Sequence, residues 1–400
     1  VLRTVFIYEN LIKPRQVVLK TRDLEYEQVD LSAYSKDEAE VQLQHIIKQD
    51  VERGFDLQKD SLLRVKYIIM PMNENRMIWT YHHIILDGWC ISMLFKEFFE
   101  YYGSLEEKES IEKIGIQIAD KRRDLLDYSD YLQWIQKKDK DSAMEYWNGL
   151  LQDYNNIADI KPSTQLDKTN DQVKKYTFAI SQNISKKIVK FAAQNNLTIS
   201  TIFKSVWGVI LQQYNLVDDV VFGEVVSGRN IDNLNVDNVI GLCINTIPVR
   251  VKSSKNMTIM ELLSDIKQQS ITSQSNSFCS LAEIQDLVMQ KNNLIRNLCV
   301  YENFYIDEQA YDDMESRYSL ELESTREQTD YPLNVVGFYD NELESLIIVI
   351  MYNPSIYSEN RIINLVKHIE IVMEYFITHT NSAISTIPLI LEEEKDIILN

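Results

Sequence analysis

Cysteine and histidine are scarce: the 400-residue sequence holds four of the first and five of the second. Cys90, Cys243, Cys279 and Cys299 stand far apart with no CxxC pair. That spacing argues against a zinc cluster or a disulfide framework and reads as buried free thiols in a reducing compartment. Long apolar runs are missing too. No stretch reaches the roughly 18–20 residues of a membrane helix, and the N-terminus lacks a signal-peptide pattern. The expectation is a soluble, cytoplasmic protein with no membrane partner. Positive charge is also short: 41 Lys and Arg against 60 Asp and Glu leave a formal charge of −19, which repels phosphate backbones. No Lys/Arg stripe interleaved with aromatics offsets it, so nucleic-acid binding is disfavoured. The chain opens on Val1 rather than methionine, and the reading expects an excised piece of a longer polypeptide.

What is present is core material. An apolar share of 45% over 400 residues exceeds what one hydrophobic core usually serves and predicts two lobes. Ser35 and Glu38 form a capping box ahead of a helical pattern over about 36–53 that closes on Gly54. LLRVKYIIM and MIWTYHHI, joined by PMNENR, read as an antiparallel hairpin. WCISMLFKEFFEYYG then places Ile91, Leu94, Phe95, Phe98 and Tyr102 on one helical face and ends at Gly103. Helical patterns follow in DLLDYSDYLQWIQKK and DSAMEYWNGLLQDY. The expected division is a first lobe over 1–155, a linker over 156–172, a second lobe over 173–385 and the start of a further linker over 386–400. The second lobe repeats the grammar, with strands KKYTFAI, DVVFGEVV, NVIGLCINTIPVRV, NLCVYENF, LNVVGFY and ESLIIVIMYN. Its helices are ISKKIVKFAAQNN, TISTIFKSVWGVILQQY, one from the Thr258–Glu261 capping box, and one over roughly 358–376. The fold class is α/β (α+β).

Two of the five histidines lie side by side in YHHIILDG, Tyr81–Gly88, between a strand and a helix. Alternation puts Met77, Trp79, Tyr81 and His83 on one face and Ile78, Thr80 and His82 on the other. Adjacent strand residues do not converge on one ion, and no third ligand is near in sequence, so a metal site is disfavoured. A satisfied structural histidine is the ordinary reading of such a residue. The rest of HHxxxDG favours function: an exposed junction, Gly88 allowing close backbone approach, and Asp87 able to cap the helix or pair with a buried arginine.

These residues resemble the condensation domains of nonribosomal peptide synthetases, within the chloramphenicol-acetyltransferase-like acyltransferases. HHIILDGWC carries the resemblance most specifically. LRTVF at 2–6, YSDYLQW at 128–134, VSGRN at 226–230, IGLCINTIPVR at 240–250, SLAEIQ at 280–285, YENF at 301–304 and DYPLNV at 330–335 are similar to family segments in the same order. The family's opening motif is missing, SNSFCSLAE lacks the aromatic-proline character usual there, and STIPLILEEEKDIILN resembles the lead-in to an adenylation domain.

The resemblance implies a V-shaped pseudo-dimer of two acyltransferase-like lobes with a tunnel between them. It also implies amide formation between a carrier-bound acyl or peptidyl thioester and a carrier-bound aminoacyl acceptor. His83 would be the catalytic histidine, with His82, Asp87 and Gly88 supporting it. Asp87 would join an arginine, Arg229 first and Arg250 second, and Asn245 would match an asparagine near the site. No cofactor is implied for the domain itself. Its substrates would ride on phosphopantetheine arms, and its partners would be donor and acceptor carrier proteins and an adenylation domain. DGWCISMLFKEFF leans towards D-configured donors. Rival readings are an epimerization domain of the same fold and a catalytically silent module that recruits carriers or tailoring enzymes.

Overall fold

The computed structural model describes residues 1–107, 110–123, 125–163, 173–229, 236–302, 317–318, 321–323, 325–326, 329–390 and 394. The expected elements and segments that touch 124, 164–172, 230, 303–304, 391–393 and 395–400 lie there outside the described residues. The chain divides into two compact units, one of Val1–Gln136, Arg229–Cys243 and Ile306–Leu320, the other of Lys137–Gly228, Ile244–Tyr305 and Glu321–Asn400.

In the first unit, strands β1 (Thr4–Ile7) and β2 (Arg15–Val18) pair antiparallel. Strand β3 (Glu25–Asp30) runs parallel to β4 (Leu63–Ile69), which turns back into β5 (Asn75–Tyr81). Helix α1 (Lys36–Arg53) crosses between β3 and β4. Its capping box is formed: Ser35 Oγ accepts the Glu38 N–H, and the Glu38 carboxylate accepts the Ser35 N–H at 3.1 Å. Ala39 and Leu43 on its inner face pack with Leu31, Ile68 and Met70. Helices α2 (Gly88–Glu106), α3 (Ile111–Arg122) and α4 (Tyr128–Gln136) complete this unit, α3 without having been expected.

One expectation for α2 is corrected. The helix passes through Gly103, because that glycine serves packing rather than termination: a Cβ there would stand 2.8 Å from the Tyr318 hydroxyl. The buried positions are Cys90, Phe99 and Gly103, whereas Phe98 and Tyr102 are 39% and 44% exposed. On the apolar face that the periodicity marked, Phe95 stacks on Trp79 at 4.5 Å and Phe98 meets the same ring edge-on.

In the second unit, α5 (Lys140–Leu151) precedes a six-stranded mixed sheet. Its strands are β6 (Lys174–Ala179), β7 (Asp219–Val226), β8 (Asn245–Lys252), β9 (Leu298–Tyr301), β10 (Leu333–Asp340) and β11 (Ser345–Tyr352), in the order β6-β11-β10-β9-β7-β8. Helices α6 (Gln182–Gln194), α7 (Ile199–Asn215), α8 (Ile259–Ser275), α9 (Leu281–Gln285) and α10 (Glu359–Thr378) accompany it. Every residue from Thr201 to Gln212 of α7 is buried, as befits a helix apolar nearly all round. Its polar members find partners: Lys204 Nζ donates to Glu224 at 2.7 Å and to Ser270 at 2.8 Å.

The boundary expected at 155/156 falls instead after Gln136, so α5 groups with the second unit. Residues 156–163 are no free linker: Ala158 and Ile160 are buried in the second unit's core. The strand read over NVIGLCINTIPVRV begins only at Asn245, because the backbone before it serves side chains of the first unit. Among the described residues, no helix is long and apolar enough to cross a membrane.

On α7, Gly208 lies against β8, where a Cβ would meet the Val251 side chain at 2.4 Å. Gly208→Ala should therefore lower stability by about 1–3 kcal/mol through overpacking, despite the better helix propensity of alanine. Urea unfolding with an unchanged or raised midpoint would show that the contact relaxes freely.

Candidate active site

The site grows from the end of β5. The ladder continues one residue past the strand, with the His82 N–H donating to the Leu62 carbonyl at 2.9 Å. The chain then turns: the Ile85 N–H reaches the His82 carbonyl at 3.2 Å, and the Ile84 N–H donates to His82 Nδ1 at 3.0 Å. Ile85 and Leu86 are driven into a cluster with Leu62 and Cys90, while His83 stays exposed at the turn. The expected alternation thus carries through His82 alone, and His83 stands on a turn rather than on the strand.

Asp87 caps α2, its Oδ1 accepting the Cys90 N–H at 3.0 Å. Its carboxylate, 1% exposed, also receives the Cys243 N–H at 3.1 Å and Arg229 Nη2 at 3.0 Å from both oxygens. Arg229 reaches further, donating to the carbonyls of Val236, Val239 and Gly241 at 2.9, 2.8 and 3.2 Å. Burial, the largest single influence, would lower the Arg229 pKa; its neighbours, Asp87 first among them, together outweigh it and keep the guanidinium charged. Arg250, the other candidate, instead grips Asp219 through Nε at 2.9 Å and Nη2 at 2.6 Å.

Two contributors escaped the sequence reading. Trp89 Nε1 donates to the Asp237 carbonyl at 2.8 Å. The Cys90 thiol contacts both Gly241 N and Gly241 O at 3.2 Å and receives Arg229 Nη2 at 3.2 Å. Burial, then the neighbouring Asp87 charge, pushes the Cys90 thiol up to about 11, so at neutral pH it remains a donor. The pattern DGWC carries no signal for this, because the partners are backbone groups far along the chain.

The segment 241–243 is pinned from its other side by α4. Tyr128 donates to the Leu242 carbonyl at 2.8 Å and Tyr131 to the Cys243 carbonyl at 3.3 Å. Gly241 is required there, since a Cβ would enter the Tyr128 ring at 2.1 Å. Gly88 is different. Nothing stands within 4 Å of where its Cβ would be, so the expected close approach is not made by the described chain. Asn245 belongs to the second unit, where its amide donates to the Ser277 and Cys279 carbonyls at 2.7 and 2.6 Å and ties that loop to β8. His82, His83, Asp87, Gly88 and Arg229 all belong to the first unit.

Removing one member of a buried ion pair strands the other, so Asp87→Ala should cost about 3–5 kcal/mol. Asp87→Ala combined with Arg229→Met should cost less than the two changes summed, as a double-mutant cycle in urea would record. Additive losses would mean that the pair does not act as a unit. The thiols add a pH effect. Cys90 and Cys243 are pushed up to about 11 and about 12 from 9.0, chiefly by burial. Their contribution is complete below the unfolded pKa and is lost as pH rises through the folded values. Stability should fall from pH 9 upward, and less steeply in Cys90→Ser; parallel profiles would contradict the linkage.

The condensation domain family model matches residues 1–399. Tyrocidine synthase 2 of Brevibacillus parabrevis is 31% identical over 409 residues, covering 100% of this chain and 11% of the relative. Surfactin synthase subunit 3 of Bacillus subtilis (strain 168) is 30% identical, covering 100% of this chain and 30% of the relative. The chain thus spans less than a third of either relative's length. The X-domain from teicoplanin biosynthesis matches in structure with a TM-score of 0.76 at 14% identity, over 97% of this chain and 86% of that one. The epimerization domain from the third module of tyrocidine synthetase B matches with 0.65 at 16%, over 95% and 86%. These two establish a shared mixed α/β fold and nothing finer. Matched along nearly its whole length, the chain belongs to the condensation domain family of nonribosomal peptide synthetases.

Proposed function

We propose that the chain forms amide bonds between a carrier-bound acyl or peptidyl thioester and the amine of a carrier-bound aminoacyl group. The observation that carries this reading is an exposed imidazole, His83, on a turn anchored by a buried ion pair. The amine nitrogen attacks the thioester carbonyl, a C–N bond forms, the C–S bond breaks, and the phosphopantetheine sulfur leaves as thiolate, which receives the proton lost by the amine and becomes the thiol. His83 hydrogen-bonds the attacking amine and takes its proton, a role worth about 10²–10⁴ in rate. Because the thioester is already activated, alignment supplies much of the rest; well-oriented reactants reach effective molarities of order 10⁵ M or more. Donor and acceptor carrier proteins and an adenylation domain are the partners of this reading, with D-configured donors preferred.

His82 serves differently, since its Nδ1 is committed to the Ile84 N–H. Structural relatives with other tasks sharpen the test. With loaded donor and acceptor carriers, the chain should give the condensed product. Stereochemical inversion of a single loaded carrier would mark an epimerization domain instead, and no turnover in either assay would mark a recruitment module. His83→Ala should lower product formation by about 10²-fold or more with the fold intact by circular dichroism. His82→Ala should lose less. Near-full activity in His83→Ala would remove the role assigned to it.

A further inference from the structure

Behind the histidine pair stands an arginine that the proposed chemistry does not use. Arg64, on β4, is 1% exposed. Its Nη1 donates to the Gly54 carbonyl at 2.6 Å and its Nη2 to the Asp50 carbonyl at 3.0 Å and the Asp50 carboxylate at 3.1 Å. These groups lie at the end of α1, where a cation complements free carbonyls and the helix dipole. Held this way, the guanidinium lies over the Phe55 ring, 4.1 Å from its centroid. Phe55 in turn meets the His82 imidazole in a T-shaped contact, 5.9 Å between centroids at 79°. An imidazole that accepts at Nδ1, as His82 does from the Ile84 N–H, carries its proton on Nε2.

We propose that Phe55, clamped by Arg64, is a positioning residue: it fixes the plane of the His82 imidazole, so that Nδ1 receives the Ile84 N–H and the turn presenting His83 keeps one geometry. The inference rests on the reading of His83 as the acting group. Its physical content is that a guanidinium over the ring and a T-shaped contact with the imidazole together restrict the orientation of Phe55. That orientation restricts rotation of the ring it touches. Rotating the imidazole away would free the Ile84 N–H and loosen the backbone on either side of His83.

The test uses the full chain with ¹⁵N-labelled histidine. Wild type should show His82 with an unprotonated Nδ1 and a protonated Nε2. Phe55→Leu should blur that distinction and lower kcat for condensation about tenfold, with KM for the acceptor carrier nearly unchanged. Phe55→Tyr, which keeps the ring, should restore both, and Phe55→Met replaces the leucine variant if that one does not fold. A leucine or methionine variant that melts earlier but keeps the wild-type nitrogen pattern and kcat would show Phe55 to be packing alone and overturn the proposal. If wild type forms no amide, the reading of His83 falls by itself, and an unchanged nitrogen pattern in the variant still overturns the positioning role.

Discussion

The turn carrying His83 depends on one buried ion pair. Asp87 and Arg229 are almost wholly withdrawn from water, a state that costs each charge several kcal/mol unless nearly every polar atom is answered. Here the answers come from the surrounding backbone. Cys90 N and Cys243 N serve the carboxylate, and three carbonyls between Val236 and Gly241 serve the guanidinium. The pair is therefore less a source of raw stability than a constraint on geometry, since its charges are satisfied when the start of α2 and the stretch 236–243 adopt this arrangement.

That constraint divides labour between two identical side chains. His82 is drawn into the body of the first unit by its backbone bond to Leu62, its ring contact with Phe55 and its own acceptance of the Ile84 N–H. His83 follows it by one residue but is left exposed, because the chain has already turned. An exposed histidine is ordinary by itself. The backbone of this one is held between a hydrogen-bonded turn and a helix cap, and the proposed reading of His83 draws on that fixed placement. In the second unit, by contrast, Arg250 and Asn245 spend their side-chain groups on carbonyls at the end of α5, on loop backbone and on Asp219.

Legibility in the sequence followed the range of the interaction. The capping boxes at Ser35 and Thr258 involve residues three apart, and both helices begin where these motifs place them. The hairpin of β4 and β5 was equally plain, since alternation and the turn residues lie within one short stretch. Gly103 misled because a glycine that ends a helix and one that admits a neighbouring side chain look alike in letters. The boundary near residue 155 misled because polar, aperiodic sequence can be packed: Ala158 and Ile160 reach the core from an irregular backbone.

By itself the sequence determined the mixed α/β character, the HHxxxDG junction between strand and helix, and two open roles for Asp87, helix cap or partner of an arginine. All of these follow from hydrophobic period, turn chemistry and the unpaired amides at a helix start. Only the tertiary structure decided that the partner is Arg229, 142 residues along the chain, that the Cys90 thiol joins them, and that an arginine-backed phenylalanine bears on His82. Which donor meets a carboxylate depends on how distant segments approach one another, and no local pattern encodes that approach.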